Sequence, residues 1–208
     1  MKITNVNVYG LENAMLVSRY PMIADVEEWR NNLTEEEIVK AFKTAHKLAT
    51  TPIGHAHDNF LNGITVNFDV TGTIQWWQEA ERYRFLYFIS STSKMHRLFE
   101  MDIHKACNEY VDPVIKQIVI EKQEAYNWAL QQKKEGKMDA DEAREYFYEL
   151  VYNVPSGFEY TAGMTTNYRQ LKTIYQQRRQ HRLQEWRDFC NWIVTLPYSE
   201  FITGKKED

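Results

Sequence analysis

Hydrophobic and polar positions alternate along Lys2–Tyr9 (KITNVNVY), as in a strand with one buried face, and Gly10 interrupts the pattern. Thr34-Glu-Glu-Glu37 has the form of a capping box, with Thr34 as N-cap and Glu37 at the third helical position. Ile38, Ala41, Phe42, Ala45 and Leu48 follow at helical spacing, and the helix is expected to end before Thr51-Pro52. GITVNFDV, residues 63–70, alternates again and predicts a second strand. From Thr73 the period becomes helical through TIQWWQEAERYRF. Ile74, Trp77, Ala80, Glu81 and Arg84 fall on one side of that helix and Trp76 and Tyr83 on the other, so it is expected to be enclosed. Ser90-Ser-Thr-Ser93 is a polar break. Helices are predicted over 112–134, started by Pro113, and over 139–152, with Gly136 between them. Pro155-Ser-Gly157 marks a turn and FEYTAGM (158–164) a short strand.

Thr165 or Thr166 then caps a helix expected to run from Asn167 to Arg187, and Leu183–Val194 forms a last helix or its continuation. The amphipathic pattern of 167–187 holds a conflict. Asn167, Leu171, Ile174, Tyr175, Arg178 and Arg182 share one stripe, while Lys172, Thr173, Gln176 and Gln180 form the face expected to be wet. Two arginines thus lie in line with the buried side. A guanidinium keeps its charge in a protein, so a buried one needs an anionic or hydrogen-bonding partner. An acidic neighbour is one solution, a stem lying along apolar surface with its head in water another, and an anionic ligand a third.

Composition narrows the class. The 208 residues suit one domain, 1–208, with 203–208 as a loose tail, and 6 Trp, 13 Tyr and 10 Phe allow a sizeable core. The expected fold class is α+β, with a central antiparallel or mixed sheet packed with long helices. A net charge of -4 argues against a general nucleic-acid coat, although Met164–Arg187 carries six Lys/Arg and a single acid, Glu185. Cys107 and Cys190 are far apart, form no metal-ligand pair and suit a reducing cytoplasm. No apolar run approaches membrane-spanning length, so no membrane and no nucleic-acid polymer is expected as a partner.

Several stretches suggest chemistry. His55-Ala-His57-Asp58 has the spacing of a metal corner but lacks further ligands, so a polar loop beside a pocket is preferred and no metal is expected. Arg82-Tyr83-Arg84 sets two guanidiniums among rings, which suits a phosphate-and-ring ligand; an ion pair of Arg84 with Glu81 on the same helix face would explain it equally. Ser90–Lys94 gathers hydroxyls and a cation in a turn that can hold an anion or cap a helix. The absence of G-x-G-x-x-G, Walker, G-x-S-x-G and H-E-x-x-H patterns disfavours the usual kinases and hydrolases.

Taken together, these windows resemble the flavin-dependent thymidylate synthases. That family carries R-H-R-x-x-S-x-N-E-x-S-x-R-Y after a strand and helix, where this chain reads RYRFLYFISSTSKM, residues 82–95. A G-H pair upstream in the family corresponds to His55-Ala-His57. Downstream, the family's N-x-R-x-L, a following arginine, a residue four further on and a Gln correspond to Asn167, Arg169, Leu171, Arg178, Arg182 and Gln184. The chain departs from the pattern at Tyr83, at Ile89-Ser90 and at Thr92-Ser-Lys94-Met95, and no arginine matches the one that holds the nucleotide phosphate.

The resemblance implies FAD, reduced by NADPH, held by His57, Arg82, Tyr83, Arg84, Asn167, Arg169 and Arg182. It implies dUMP as a pyrimidine deoxynucleotide substrate, bound by Thr92, Ser93 and Lys94, with Arg178 binding and activating its ring. Methylene tetrahydrofolate would supply the carbon, in a site assembled at the subunit interfaces of a homotetramer. Two other readings compete with this methylation of dUMP. One is a relative that binds a pyrimidine nucleotide but has lost or changed the reaction. The other is a module that uses its basic helix to bind RNA or protein.

Overall fold

The computed structural model describes residues 1–204, and among them four strands form one antiparallel sheet. The strands are β1 (Lys2–Tyr9), β2 (Thr65–Thr73), β3 (Tyr87–Ser91) and β4 (Glu159–Asn167), in the order β1-β2-β4-β3. The first helices are α1 (Leu11–Val17), α2 (Val26–Asn31), α3 (Glu35–Ala49) and α4 (Ile74–Ala80). They are followed by α5 (Lys94–Arg97), α6 (Ile103–Ala106), α7 (Pro113–Lys134) and α8 (Ala140–Tyr152). The last are α9 (Tyr168–Arg178), α10 (Gln184–Ile193) and α11 (Glu200–Thr203). This is the expected α+β class, with the sheet antiparallel throughout.

The alternation read in the sequence decides which face of β2 is covered: Val66, Phe68 and Val70 point into the core while their neighbours are half-buried. Ala162, Met164 and Thr166 of β4 are likewise buried. On this layer pack the rings of Trp76, Trp186 and Phe189, with the Trp76 centroid 5.2 Å from Trp186 and 5.8 Å from Phe189. Both Trp76 and Trp77 are buried, as the two-sided apolar pattern of α4 predicts. Gly72 permits the close approach of this helix, because a Cβ there would lie 3.0 Å from the Trp76 ring. The end of β2 is clasped by Glu185, which accepts from the Thr73 backbone N–H at 2.9 Å and from its hydroxyl at 2.6 Å. A second, smaller cluster of Leu98, Ile103, Val111, Val119, Leu150 and Phe158 lies under the α7–α8 hairpin.

Four expectations are corrected. The tryptophan helix ends at Ala80, so Arg82–Arg84 lie in the turns beyond it and Arg84 makes no helical ion pair with Glu81. Ser90 and Ser91, expected in a polar break, belong to an edge strand, Tyr87–Ser91, paired to β4 with a register shift between Phe88 and Ser90. β4 extends to Asn167, whose side chain, rather than that of Thr165 or Thr166, caps α9 by accepting from the Gln170 N–H at 2.9 Å. The helix expected over 167–187 breaks after Arg178, and the Arg187 guanidinium caps the carbonyls of His181 and Arg182 in the break. Of the expected tail, Thr203 closes α11, Gly204 follows at φ 69, and 205–208 lie outside the described residues.

Trp76→Ala is expected to destabilise the fold by about 3–5 kcal/mol in chemical denaturation, the cost of emptying a fully buried indole site. A loss below about 1 kcal/mol would contradict this assignment of the core.

Candidate functional site

Three places collect the residues singled out in the sequence. The first is a cleft of about 510 Å³ at the edge strand, lined by Glu81, Phe88, Ser91, Thr92, Ser93, Lys94, Met95 and Tyr160. β3 and the turn after it deliver the hydroxyls of Ser91, Thr92 and Ser93, and α5 begins with Lys94. Thr92 is held against β4, its backbone N–H donating to the Thr161 carbonyl at 2.9 Å. Lys94 is half-buried, and desolvation holds its ammonium below the usual lysine range. Among the described residues it forms no ion pair, so an anion entering the cleft would relieve that desolvation. Burial and the nearby Glu81 push the Tyr160 hydroxyl up to about 12, so it keeps its proton and has an O–H to donate to a ligand. Its ring is stacked 5.1 Å from Trp77, which ties the cleft wall to the core.

The second place lies at the start of α9. Asp58 is 2 % exposed, and its carboxylate accepts from Lys172 Nζ at 2.8 Å and from Arg169 Nε at 3.2 Å. Lys172 also donates to the carbonyls of Ala49 at 2.7 Å and Thr51 at 2.6 Å, at the end of α3. These contacts draw the 51–58 segment onto α9 and correct the expected wet face, since Lys172 is itself 2 % exposed. Arg169, Asp58, Ile53 and Phe85 line a cavity of about 160 Å³. Arg84 is near, its guanidinium carbon 5.5 Å from the Phe85 ring. His57 is exposed on the same segment and lines a different, apolar groove of about 580 Å³ with Tyr20, Met22, Leu48 and Phe60. Arg82 and Arg84 are exposed and make no ion pair among the described residues.

The third place answers the conflict in the helix pattern. Arg178 is turned inward, its side chain 16 % exposed, and it donates from Nη1 to Glu79 Oε2 at 2.8 Å. Its Nε donates to the Tyr83 hydroxyl at 2.7 Å, and its guanidinium carbon is 4.7 Å from the Trp186 ring centroid. Glu79 also accepts from Trp186 Nε1 at 3.0 Å. A carboxylate, rather than a ligand alone, therefore meets this arginine. Arg182 does not share the stripe: it lies in the break between α9 and α10 and is exposed.

The structure thus brings Thr92, Ser93 and Lys94 together, and sets Arg169 in one cavity with Phe85, the residue that follows Arg84, while Asn167 caps α9. Tyr83 goes with Arg178, while His57 and Arg182 stand apart from both groups. Glu79, Glu81 and Tyr160 complete these places without having been singled out as site residues, and Asp58, expected in a polar loop beside His57, does so as a counter-charge. Asp58 and Glu79 are the counter-charges that two inward cations demand, but sequence spacing does not say which of the chain's 29 acids supplies them. Among the described residues no group of three or more His, Cys, Asp or Glu could hold a metal, and no helix is long and apolar enough to cross a membrane.

No family model and no curated protein matches the chain. Solved structures do. A flavin-dependent thymidylate synthase ThyX from Helicobacter pylori, complexed with FAD and dUMP, superposes with a TM-score of 0.67 at 15% identity, covering 100% of both chains. A second Helicobacter pylori ThyX with FAD and dUMP gives a TM-score of 0.67 at 16% identity over 98% of each chain. The fold is that of the flavin-dependent thymidylate synthases. At this identity the likeness to ThyX concerns the path of the chain; the departures at Tyr83, Ile89, Ser90 and Lys94 are differences within a shared scaffold.

The Asp58–Lys172 pair yields a stability test. Lys172→Met is expected to cost about 3 kcal/mol, because it strips a buried carboxylate of its nearest cation. Adding Asp58→Asn should recover part of that loss, read by urea denaturation. Additive losses would show that the two groups do not act as a pair.

Proposed function

We propose that this chain is an enzyme of the flavin-dependent thymidylate synthase kind, which methylates a pyrimidine deoxynucleotide with dUMP as the reference substrate. FAD reduced by NADPH would be its cofactor and methylene tetrahydrofolate its one-carbon donor. The observation that carries this reading is the convergence of Thr92, Ser93 and Lys94 with the rings of Phe88 and Tyr160 in one cleft. A cation and hydroxyls suit a phosphate, rings suit a planar base, and about 510 Å³ is a volume suited to a mononucleotide. Lys94 stands in for the arginine that the resemblance expects at this position, binding phosphate as a point charge instead of a fork.

The residues near Arg169 fit a flavin dinucleotide in their chemistry. Arg82 and Arg84 have no carboxylate partner among the described residues, and Arg169 lines a cavity walled by Phe85. These guanidiniums would hold the pyrophosphate, with Asn167, Tyr83, His57 and Arg182 as further contacts. FAD supplies the reducing equivalents when bound. The protein's share is to position the two ligands and to exclude water between them. A cavity of about 160 Å³ is too small for a whole dinucleotide, which supports a site completed by further copies of the chain, as in a homotetramer.

One observation favours a second reading. The resemblance gives Arg178 the task of polarising the pyrimidine ring, but Arg178 does not line the edge-strand cleft, and the Glu79 carboxylate at 2.8 Å offsets its charge. A relative that binds a pyrimidine nucleotide and has lost or changed the reaction would tolerate that contact.

The absorbance spectrum of the purified protein separates the two, alongside thermal stability with mononucleotides. A flavin spectrum, with methylation of the nucleotide when folate donor and NADPH are added, is the expected outcome. A colourless protein stabilised by a pyrimidine mononucleotide supports the second reading. In either case Lys94→Ala should weaken mononucleotide binding about tenfold or more. Failure of every pyrimidine nucleotide to bind, or full affinity in Lys94→Ala, would overturn both.

A further inference from the structure

The cleft at the edge strand has opposite charges along its wall. Lys94 and Glu81 both line it, yet they form no ion pair with each other or with any other described residue. The rings of Phe88 and Tyr160 line the same cleft. Burial, and after it the Glu81 carboxylate, make the Tyr160 hydroxyl harder to ionise. A ligand complementary to this arrangement carries an anion, a planar ring and, apart from the anion, an N–H donor beside a hydrogen-bond acceptor. Its N–H would donate to the Glu81 carboxylate, and its acceptor would take the Tyr160 O–H.

Uracil and cytosine differ at this edge. The N3–H of uracil lies between two carbonyl oxygens, so a carboxylate reaching it meets two like partial charges. The exocyclic amine of cytosine is at a corner of the ring, next to the C5–H, and offers its N–H without that repulsion; a carboxylate accepting from cytosine N4 is a recurrent pairing. Cytosine N3 then presents an acceptor beside the amine for Tyr160.

We propose that Glu81 selects the base, so that the nucleotide taken by this cleft is a cytosine deoxynucleotide in preference to a uracil one. The proposal rests on the reading of the cleft as a pyrimidine-nucleotide site, and it replaces dUMP, the nucleotide in the neighbouring structures, with dCMP for this chain. Phosphate binding by Lys94, Thr92 and Ser93 is common to both nucleotides, so the discrimination resides at Glu81 and Tyr160.

Calorimetric titration of the full-length protein with dCMP and with dUMP tests this. The wild type is expected to bind dCMP at least about tenfold more tightly than dUMP. Glu81→Gln removes the anion and adds an amide N–H donor, so it should narrow or reverse the ratio by gaining affinity for dUMP. Glu81 is exposed, and a gain of affinity cannot come from damage to the fold. Binding of dUMP as tightly as dCMP by the wild type, or an unchanged ratio in Glu81→Gln, would overturn the role of Glu81 and leave the nucleotide cleft standing. Binding of neither nucleotide would remove the cleft reading itself, and this inference with it.

Discussion

Each cation that α9 turns inward meets a carboxylate from another element, and the places that suggest function are arranged around those pairs. Lys172 and Arg169 share Asp58, which fastens the 51–58 segment and the end of α3 to the start of α9. Arg178 meets Glu79, which fastens the far end of α9 to α4 and, through Trp186, to α10. A buried ion stripped of its partner costs several kcal/mol, so each pair is either complete or strongly destabilising. The same logic holds at the end of β2, where the buried Glu185 is satisfied by the N–H and hydroxyl of Thr73.

These pairs divide the arginines by task. Arg178 is consumed in part by the scaffold, while Arg82 and Arg84 are exposed and Lys94 is half-buried, none with a carboxylate partner among the described residues. Cations left without counter-ions at a cleft are the ones a phosphorylated ligand can use. The nucleotide reading therefore rests on the edge-strand cleft more than on α9. The shared fold with ThyX supplies the scaffold for both.

Much of this was legible before any coordinates. The strand at β1, the alternation of β2, the cap at Thr34 and the enclosed tryptophan helix follow from local pattern and hold in the structure, although β1 buries no residue fully. Thr92, Ser93 and Lys94, adjacent in the sequence, also line one cleft. What periodicity missed depends on distant partners. Lys172 counts as polar in any pattern, and Asp58, 114 residues away, together with the carbonyls of Ala49 and Thr51, makes its burial possible. Tyr87–Ser91 is an exposed edge strand, so no buried face imposes an alternation that could be read. The break after Arg178 is stabilised by Arg187 capping two carbonyls, a contact that a helical wheel does not contain.

A double-mutant cycle on Glu79 and Arg178, scored by unfolding free energy, tests the central pairing most directly. With Glu79→Gln, Arg178→Gln and the double variant, a coupling of about 1–3 kcal/mol is expected, because removal of either partner leaves the other charge partly buried. A coupling near zero, with Arg178→Gln folded as stably as the wild type, would contradict the account and return Arg178 to the ligand.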